Sequence, residues 1–172
     1  MSTLASRINR CSRLSGSFTL RSGKSSTAYF DKYQFEADPV LLCEVARSMS
    51  ALVPPGTEAL AGLEMGGIPI VTMLSQVTGL PAAFIRKEAK SYGTCRYAEG
   101  ASLEGRKFVL VEDVVSSGGA LLDALVKLST DGLFASAALC VIDRQTGGKE
   151  ALAAHGLPLV SLFTFSQVEA AS

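Results

Sequence analysis

The sequence predicts an α/β fold, a parallel sheet covered by helices on both faces. Two observations carry this. Short apolar, strand-like runs alternate with amphipathic helical stretches along most of the chain. Gly/Pro breaks separate them, at Pro54-Pro55-Gly56 and again at Gly79-Leu80-Pro81. The 172 residues suit one domain, and 48% hydrophobic with 19% charged residues supports a core and argues against disorder.

The elements follow in order. Leu4, Ile8, Cys11 and Leu14 form a stripe at helical spacing and predict a first helix. Residues 1–30 hold Arg7, Arg10, Arg13, Arg21 and Lys24 but no acid, a composition also shared by organelle-targeting segments; at most the first 17 residues would then be removable. Asp38 is placed to cap a helix opened by Pro39 and running to about Leu52. Glu58–Gly62 reads as a strand, Gly66-Gly67-Ile68-Pro69 as the turn into a helix reaching about Val77, and Ala82–Ile85 as a strand. Residues 86–105 are polar, and Phe108–Val111 is a buried strand. Gly119–Ser129 follows as a helix with Leu121, Leu122, Leu125 and Leu128 on one face. Ala135–Ile142 and Leu157–Thr164 read as strands around a helix at Lys149–His155. Ligands of such sheets gather at the carboxyl ends of the strands, here just after Leu63, Ile85, Val111 and Ile142.

Charge and composition exclude several functions. Sixteen basic and sixteen acidic residues leave zero net charge, unlike a nucleic-acid module. The longest apolar stretch, Leu133 to Ile142, is interrupted by Ser136 and is too short to span a bilayer. Cys11, Cys43, Cys95 and Cys140 are scattered, which fits a reducing compartment better than a zinc site or a disulfide framework. His155 precedes a Gly at a helix end and is given no catalytic part.

The strongest motif is Phe108-Val-Leu-Val-Glu112-Asp113-Val114-Val115-Ser116-Ser117-Gly118-Gly119-Ala120. Two adjacent carboxylates can hold vicinal hydroxyls or help organise a divalent cation. Two hydroxyls and two glycines at a helix N-terminus suit a phosphate, because free N–H groups and the helix dipole favour an anion. A sugar phosphate satisfies both halves. The motif is neither a Walker loop nor a dinucleotide fingerprint.

Residues 108–120 resemble the phosphoribosyl-diphosphate motif of the type I phosphoribosyltransferases. Three further segments resemble the orotate-using branch of that family. Arg86-Lys87-Glu88-Ala89-Lys90-Ser91-Tyr92 is similar to its catalytic loop, with Tyr92 where many members have His. Phe18-Thr-Leu-Arg21-Ser-Gly-Lys24 through Tyr29-Phe30-Asp31 is similar to its N-terminal hood, with Arg21 where Lys is common. Asp143-Arg144 stands where the branch reads the orotate carboxylate, and Glu64-Met65-Gly66-Gly67-Ile68-Pro69 resembles its pyrophosphate loop.

The resemblance implies the type I phosphoribosyltransferase fold: a central, mostly parallel sheet flanked by helices, with a small N-terminal hood. It implies a single domain over residues 1–172, with residues 1–37 as hood and residues 86–100 as flexible catalytic loop. The implied activity is transfer of the phosphoribosyl group from phosphoribosyl diphosphate to orotate in pyrimidine synthesis, with Mg²⁺ held mainly through substrate and no protein metal ligand. Arg86, Lys87, Lys90 and Asp113 would be catalytic. Arg21, Arg86, Lys87, Lys90, Tyr92, Glu112, Asp113, Val114, Val115, Ser116, Ser117, Gly118, Gly119 and Ala120 would bind phosphoribosyl diphosphate. Arg21, Tyr29, Phe30, Ser116 and Arg144 would bind orotate. A cytoplasmic homodimer with shared sites is implied, with neither nucleic acid nor membrane as partner. The alternatives are a transferase for another base, or a non-catalytic regulator on the same fold.

Overall fold

The structure, a computed structural model, describes residues 3–19, 23, 25–89 and 97–171. A six-stranded sheet runs in the order β5-β4-β3-β6-β7-β8. Its strands are β3 (Ala59–Leu63), β4 (Ala82–Ile85), β5 (Ala98–Gly100), β6 (Phe108–Val115), β7 (Ala135–Asp143) and β8 (Leu159–Thr164). Five are mutually parallel, and β5 pairs antiparallel with β4 at the edge. Before the sheet, β1 (Arg13–Thr19) and β2 (Ser25–Phe30) pair antiparallel as a separate two-stranded sheet.

Strand alternation divides the core. Val109 and Val111 of β6 pack with α1 (Leu4–Ser12), α2 (Tyr33–Ala37), α3 (Pro39–Ser50), α4 (Gly67–Thr78) and α7 (Phe165–Ala170). Phe108 and Leu110 pack with α5 (Gly119–Thr130) and α6 (Gly148–Ala154) on the other face. Successive side chains of a strand point to opposite faces, so an all-apolar run serves two helical layers at once.

Local chemistry sets several boundaries. Asp38 Oδ1 accepts from the backbone N–H of Val40 at 2.9 Å and of Leu41 at 3.0 Å, and Pro39 opens α3. α4 ends at Gly79, whose N–H donates to Ser75 O at 2.8 Å. His155 closes α6, with Nδ1 2.9 Å from Ala151 O.

Four expectations need correction. α1 stops at Ser12, so Leu14 belongs to β1 instead of the helical stripe, while Ile8 is fully buried. β6 continues to Val115 because Val114 and Val115 pair with Ile142 and Asp143 of β7, so the acidic pair lies inside the strand and not beyond it. The polar stretch after β4 contains β5, whose three residues are too few to show alternation. α7 is unanticipated, although Thr164 and Gln167 form a capping box that is visible as T-F-S-Q.

Candidate active site

The carboxyl end of β6 brings two cavities together. The first, about 220 Å³, is lined by Glu112, Val114, Val115 and the turn from Ser116 to Ala120. Gly118, at φ 79°, is the N-cap of α5 and provides no side-chain cap. The backbone N–H groups at the start of α5 therefore have no side-chain acceptor from that residue, which suits an anion. The left-handed φ explains a glycine at this position.

The two acids have different surroundings. Glu112 is 8% exposed and lines the phosphate-turn cavity. Asp113 is fully buried, with its Oδ2 2.6 Å from Lys32 Nζ. Gly66, just before α4, packs so closely that a Cβ there would sit 1.6 Å from the same oxygen. Burial, then the charge of Asp113, pushes Glu112 well above the usual carboxylate range. Burial pushes Asp113 up as well, but its contacts with Glu36, Glu112 and Lys32 outweigh burial and hold it below that range.

The second cavity, about 640 Å³, brings Tyr29, Phe30, Lys32, Ser116, Arg144 and Phe165 together. It shares Val114 and Ser116 with the first, so the two adjoin. Tyr29 stacks on Phe18 with ring centroids 5.5 Å apart, and Phe30 meets Phe165 edge-on at the same distance. The Arg144 guanidinium lies over Phe165, 4.5 Å from its centroid. Its backbone N–H donates to Val115 O at 2.8 Å, which ties the ends of β7 and β6. Among the described residues neither Asp143 nor Glu150 forms an ion pair with Arg144; Asp143 Oδ1 instead accepts from Gln145 N–H at 2.8 Å.

Arg86 and Lys87 follow β4. Arg86 donates its backbone N–H to Tyr97 O at 3.0 Å, and Lys87 donates its own to Glu64 Oε1 at 2.6 Å. Lys127 of α5 donates to Lys87 O and stands 5.0 Å above the Tyr97 ring. Glu64 therefore links the turn before α4 to the segment after β4, and Lys127 braces that segment from α5. Arg21, Lys90 and Tyr92 lie outside the described residues, as does Cys95. Lys32, Glu36, Lys127 and Phe165 were missed by sequence reasoning. The capping box could have located Phe165, but no local spacing marks the three charged residues.

Among the described residues no group of three or more His, Cys, Asp or Glu side chains could hold a metal ion. No helix among the described residues is long and apolar enough to cross a membrane.

The family model for the phosphoribosyl transferase domain matches residues 53–154. The orotate phosphoribosyltransferase of Nocardioides sp. is 50% identical over 169 residues, covering 98% of this chain and 94% of that protein. The orotate phosphoribosyltransferase of Mycobacterium tuberculosis H37Rv, solved with Fe(III) dicitrate, superposes with a TM-score of 0.87 at 28% identity, covering 96% of each chain. The same enzyme solved with 5-phospho-alpha-D-ribosyl 1-diphosphate gives a TM-score of 0.83 at 25% identity, again covering 96% of each. The chain belongs to the phosphoribosyl transferase family and, within it, to the orotate phosphoribosyltransferases.

Proposed function

We propose that the chain transfers the 5-phosphoribosyl group from phosphoribosyl diphosphate to orotate, giving orotidine 5′-monophosphate and pyrophosphate. One observation carries the assignment to this site. An aromatic-lined cavity containing Arg144 adjoins a helix-N-terminal turn of two serines and two glycines. The first half suits a flat carboxylate-bearing base, and the second suits a sugar phosphate.

In this reading Ser116 to Ala120 hold the 5′-phosphate, while Val114 and Val115 form the wall beneath it. Glu112 accepts from ribose hydroxyls; Asp113, which the motif also assigns to the ribose and to catalysis, is fully buried and in this reading supports that end of the site from below. Tyr29 and Phe30 lie against the pyrimidine, Ser116 faces both substrates, and Arg144 reads the orotate carboxylate. Arg21 completes the orotate pocket and contacts the diphosphate. The C1–O bond breaks with its electron pair passing to pyrophosphate, and orotate N1, having lost its proton, forms the new bond to C1 with inversion. Arg86, Lys87 and Lys90 meet the growing negative charge on the leaving group, where a water-poor site makes the interaction stronger. Tyr92 donates a hydrogen bond to a phosphate oxygen. Mg²⁺, when bound with the substrate, would supply further charge compensation on the diphosphate.

The assembly in this reading is a homodimer with shared sites. Arg86 and Lys90 act across the interface, and Lys87 in its own subunit. A cytoplasmic setting accords with Cys11, Cys43 and Cys140 being free thiols.

The test is loss of the orotate absorbance band with phosphoribosyl diphosphate and Mg²⁺. Rapid, Mg²⁺-dependent loss with stoichiometric pyrophosphate release is expected. Binding of phosphoribosyl diphosphate without loss of orotate would overturn the base assignment and direct the assay to other bases.

A further inference from the structure

Glu36 has a buried carboxyl group that the reading above does not use. It stands on α2, is 7% exposed, and neither of its oxygens has a hydrogen-bond donor from a fixed group of the described residues. A buried polar group without a partner is costly, so such a carboxyl calls for an explanation.

Its neighbour supplies one. Glu36 interacts with Asp113 as a neighbouring carboxyl, and Asp113 Oδ2, buried and like both Glu36 oxygens without a hydrogen-bond partner among the described residues, lies 2.6 Å from Lys32 Nζ. Two carboxyl groups that meet away from water cannot both stay ionised and instead share one proton. Lys32 stands on Asp113, so the charge belongs there and the proton belongs on Glu36. The titration directions agree. Burial first, and then the contact with Asp113, raises Glu36 to about 9, against an opposing effect of Lys32. Asp113 is held low by the same contacts.

Gly66 closes the arrangement from the turn before α4, with no room for a side chain between its backbone and Asp113 Oδ2. Three parts of the chain therefore converge on one carboxylate: the segment from Lys32 to Glu36, the end of β6, and the turn leading into α4.

We propose that Glu36 is a positioning residue for phosphoribosyl-diphosphate binding: in its acid form it donates a hydrogen bond to Asp113 and, with Lys32, fixes that carboxylate beneath the ribose and pyrophosphate end of the site. The proposal rests on the phosphoribosyl-transfer reading. Removing the donor leaves the Asp113 carboxylate with Lys32 on Oδ2 and the backbone N–H of Val114 on Oδ1, and Oδ2 loses one of the two groups that fix it at the end of β6. Of the base pocket, Tyr29, Phe30 and Arg144 are untouched, and Lys32, which also lines it, keeps its contact with Asp113.

The experiment compares wild type, Glu36→Gln and Glu36→Leu, each checked for folding by circular dichroism. Gln keeps the shape and an N–H donor, whereas Leu removes the donor. Binding of phosphoribosyl diphosphate is measured by calorimetry with Mg²⁺ and without orotate, alongside steady-state kinetics. Gln is expected to stay within about threefold of wild type, and Leu to raise Kd and KM for phosphoribosyl diphosphate about tenfold with kcat and the orotate KM little changed. A Leu variant that binds like wild type, or a Gln variant as weak as Leu, overturns the proposal. Infrared spectroscopy of wild type at pH 7 gives a second readout that does not need the Leu variant to fold. A carboxylic-acid carbonyl band that disappears in Glu36→Gln is expected, and no such difference would overturn the proposal. Wild-type turnover of orotate reports separately on the reaction, so failure there is distinguishable from failure at Glu36.

Discussion

Arg144 and Phe165 form a stacked pair, with the guanidinium carbon 4.5 Å from the ring centroid. Phe165 in turn meets Phe30 edge-on. A guanidinium held against an aromatic face keeps its planar fork aimed, which an ammonium cannot reproduce. Arg144→Ala and Arg144→Lys should therefore both raise the orotate KM, by about 10- to 100-fold for a lost charge-assisted hydrogen-bond pair. The KM for phosphoribosyl diphosphate should change little. Full rescue by Lys in steady-state assays would show that stacking is irrelevant.

Gly66 has no space for a side chain, since the added carbon would fall 1.6 Å from Asp113 Oδ2. Gly66→Ala must displace either the turn before α4 or the buried ion pair. A loss of about 1–3 kcal/mol of stability is expected from overpacking of this kind. Affinity for phosphoribosyl diphosphate should fall with it. Thermal unfolding and calorimetry check both, and an unchanged melting temperature would contradict the packing argument.

Glu36 also predicts a pH-dependent stability. Its folded-state pKa is raised to about 9, chiefly by burial, from an ordinary value of 4.5. Between those values the folded state holds a proton that the unfolded state releases, so stability from this group falls as pH rises through the window. The groups facing it are Asp113 and Glu112 of β6 and Lys32. Glu36→Gln cannot titrate, so its stability relative to wild type should increase from pH 6 to pH 9. Urea unfolding at several pH values measures this, and parallel curves would refute it.

Lys90 and Tyr92 share the loop motif but should not contribute equally. Lys90 brings a full positive charge to the leaving pyrophosphate, whereas a neutral phenol can only donate a hydrogen bond. Tyr92→Phe is expected to cost less kcat than Lys90→Ala. An equal or larger loss at Tyr92 would overturn this ordering.

Much of the fold was legible because its signals are local. The Asp38 cap, Pro39 at the first turn and the Gly79 stop act through residues within one helical turn. The apolar β6 run declared a strand buried on both faces. Its end was misjudged, because pairing of Val114 and Val115 with Ile142 and Asp143 depends on a neighbouring strand.

The sequence by itself determined the chemistry available: the serine-glycine turn, the acidic pair, the hood aromatics and the Arg after β7. Neighbouring residues encode those motifs, so a linear reading finds them. Only the tertiary structure decided that Glu112 lines the phosphate-turn cavity while Asp113 is fully buried, and that Lys32 and Glu36 reach the second of them. The same holds for Lys127 bracing the segment after β4. These are contacts between residues far apart in the chain, made by charged side chains that look solvated until the fold buries or aligns them. Their energy comes from loss of water and from close approach, neither of which leaves a pattern in local spacing.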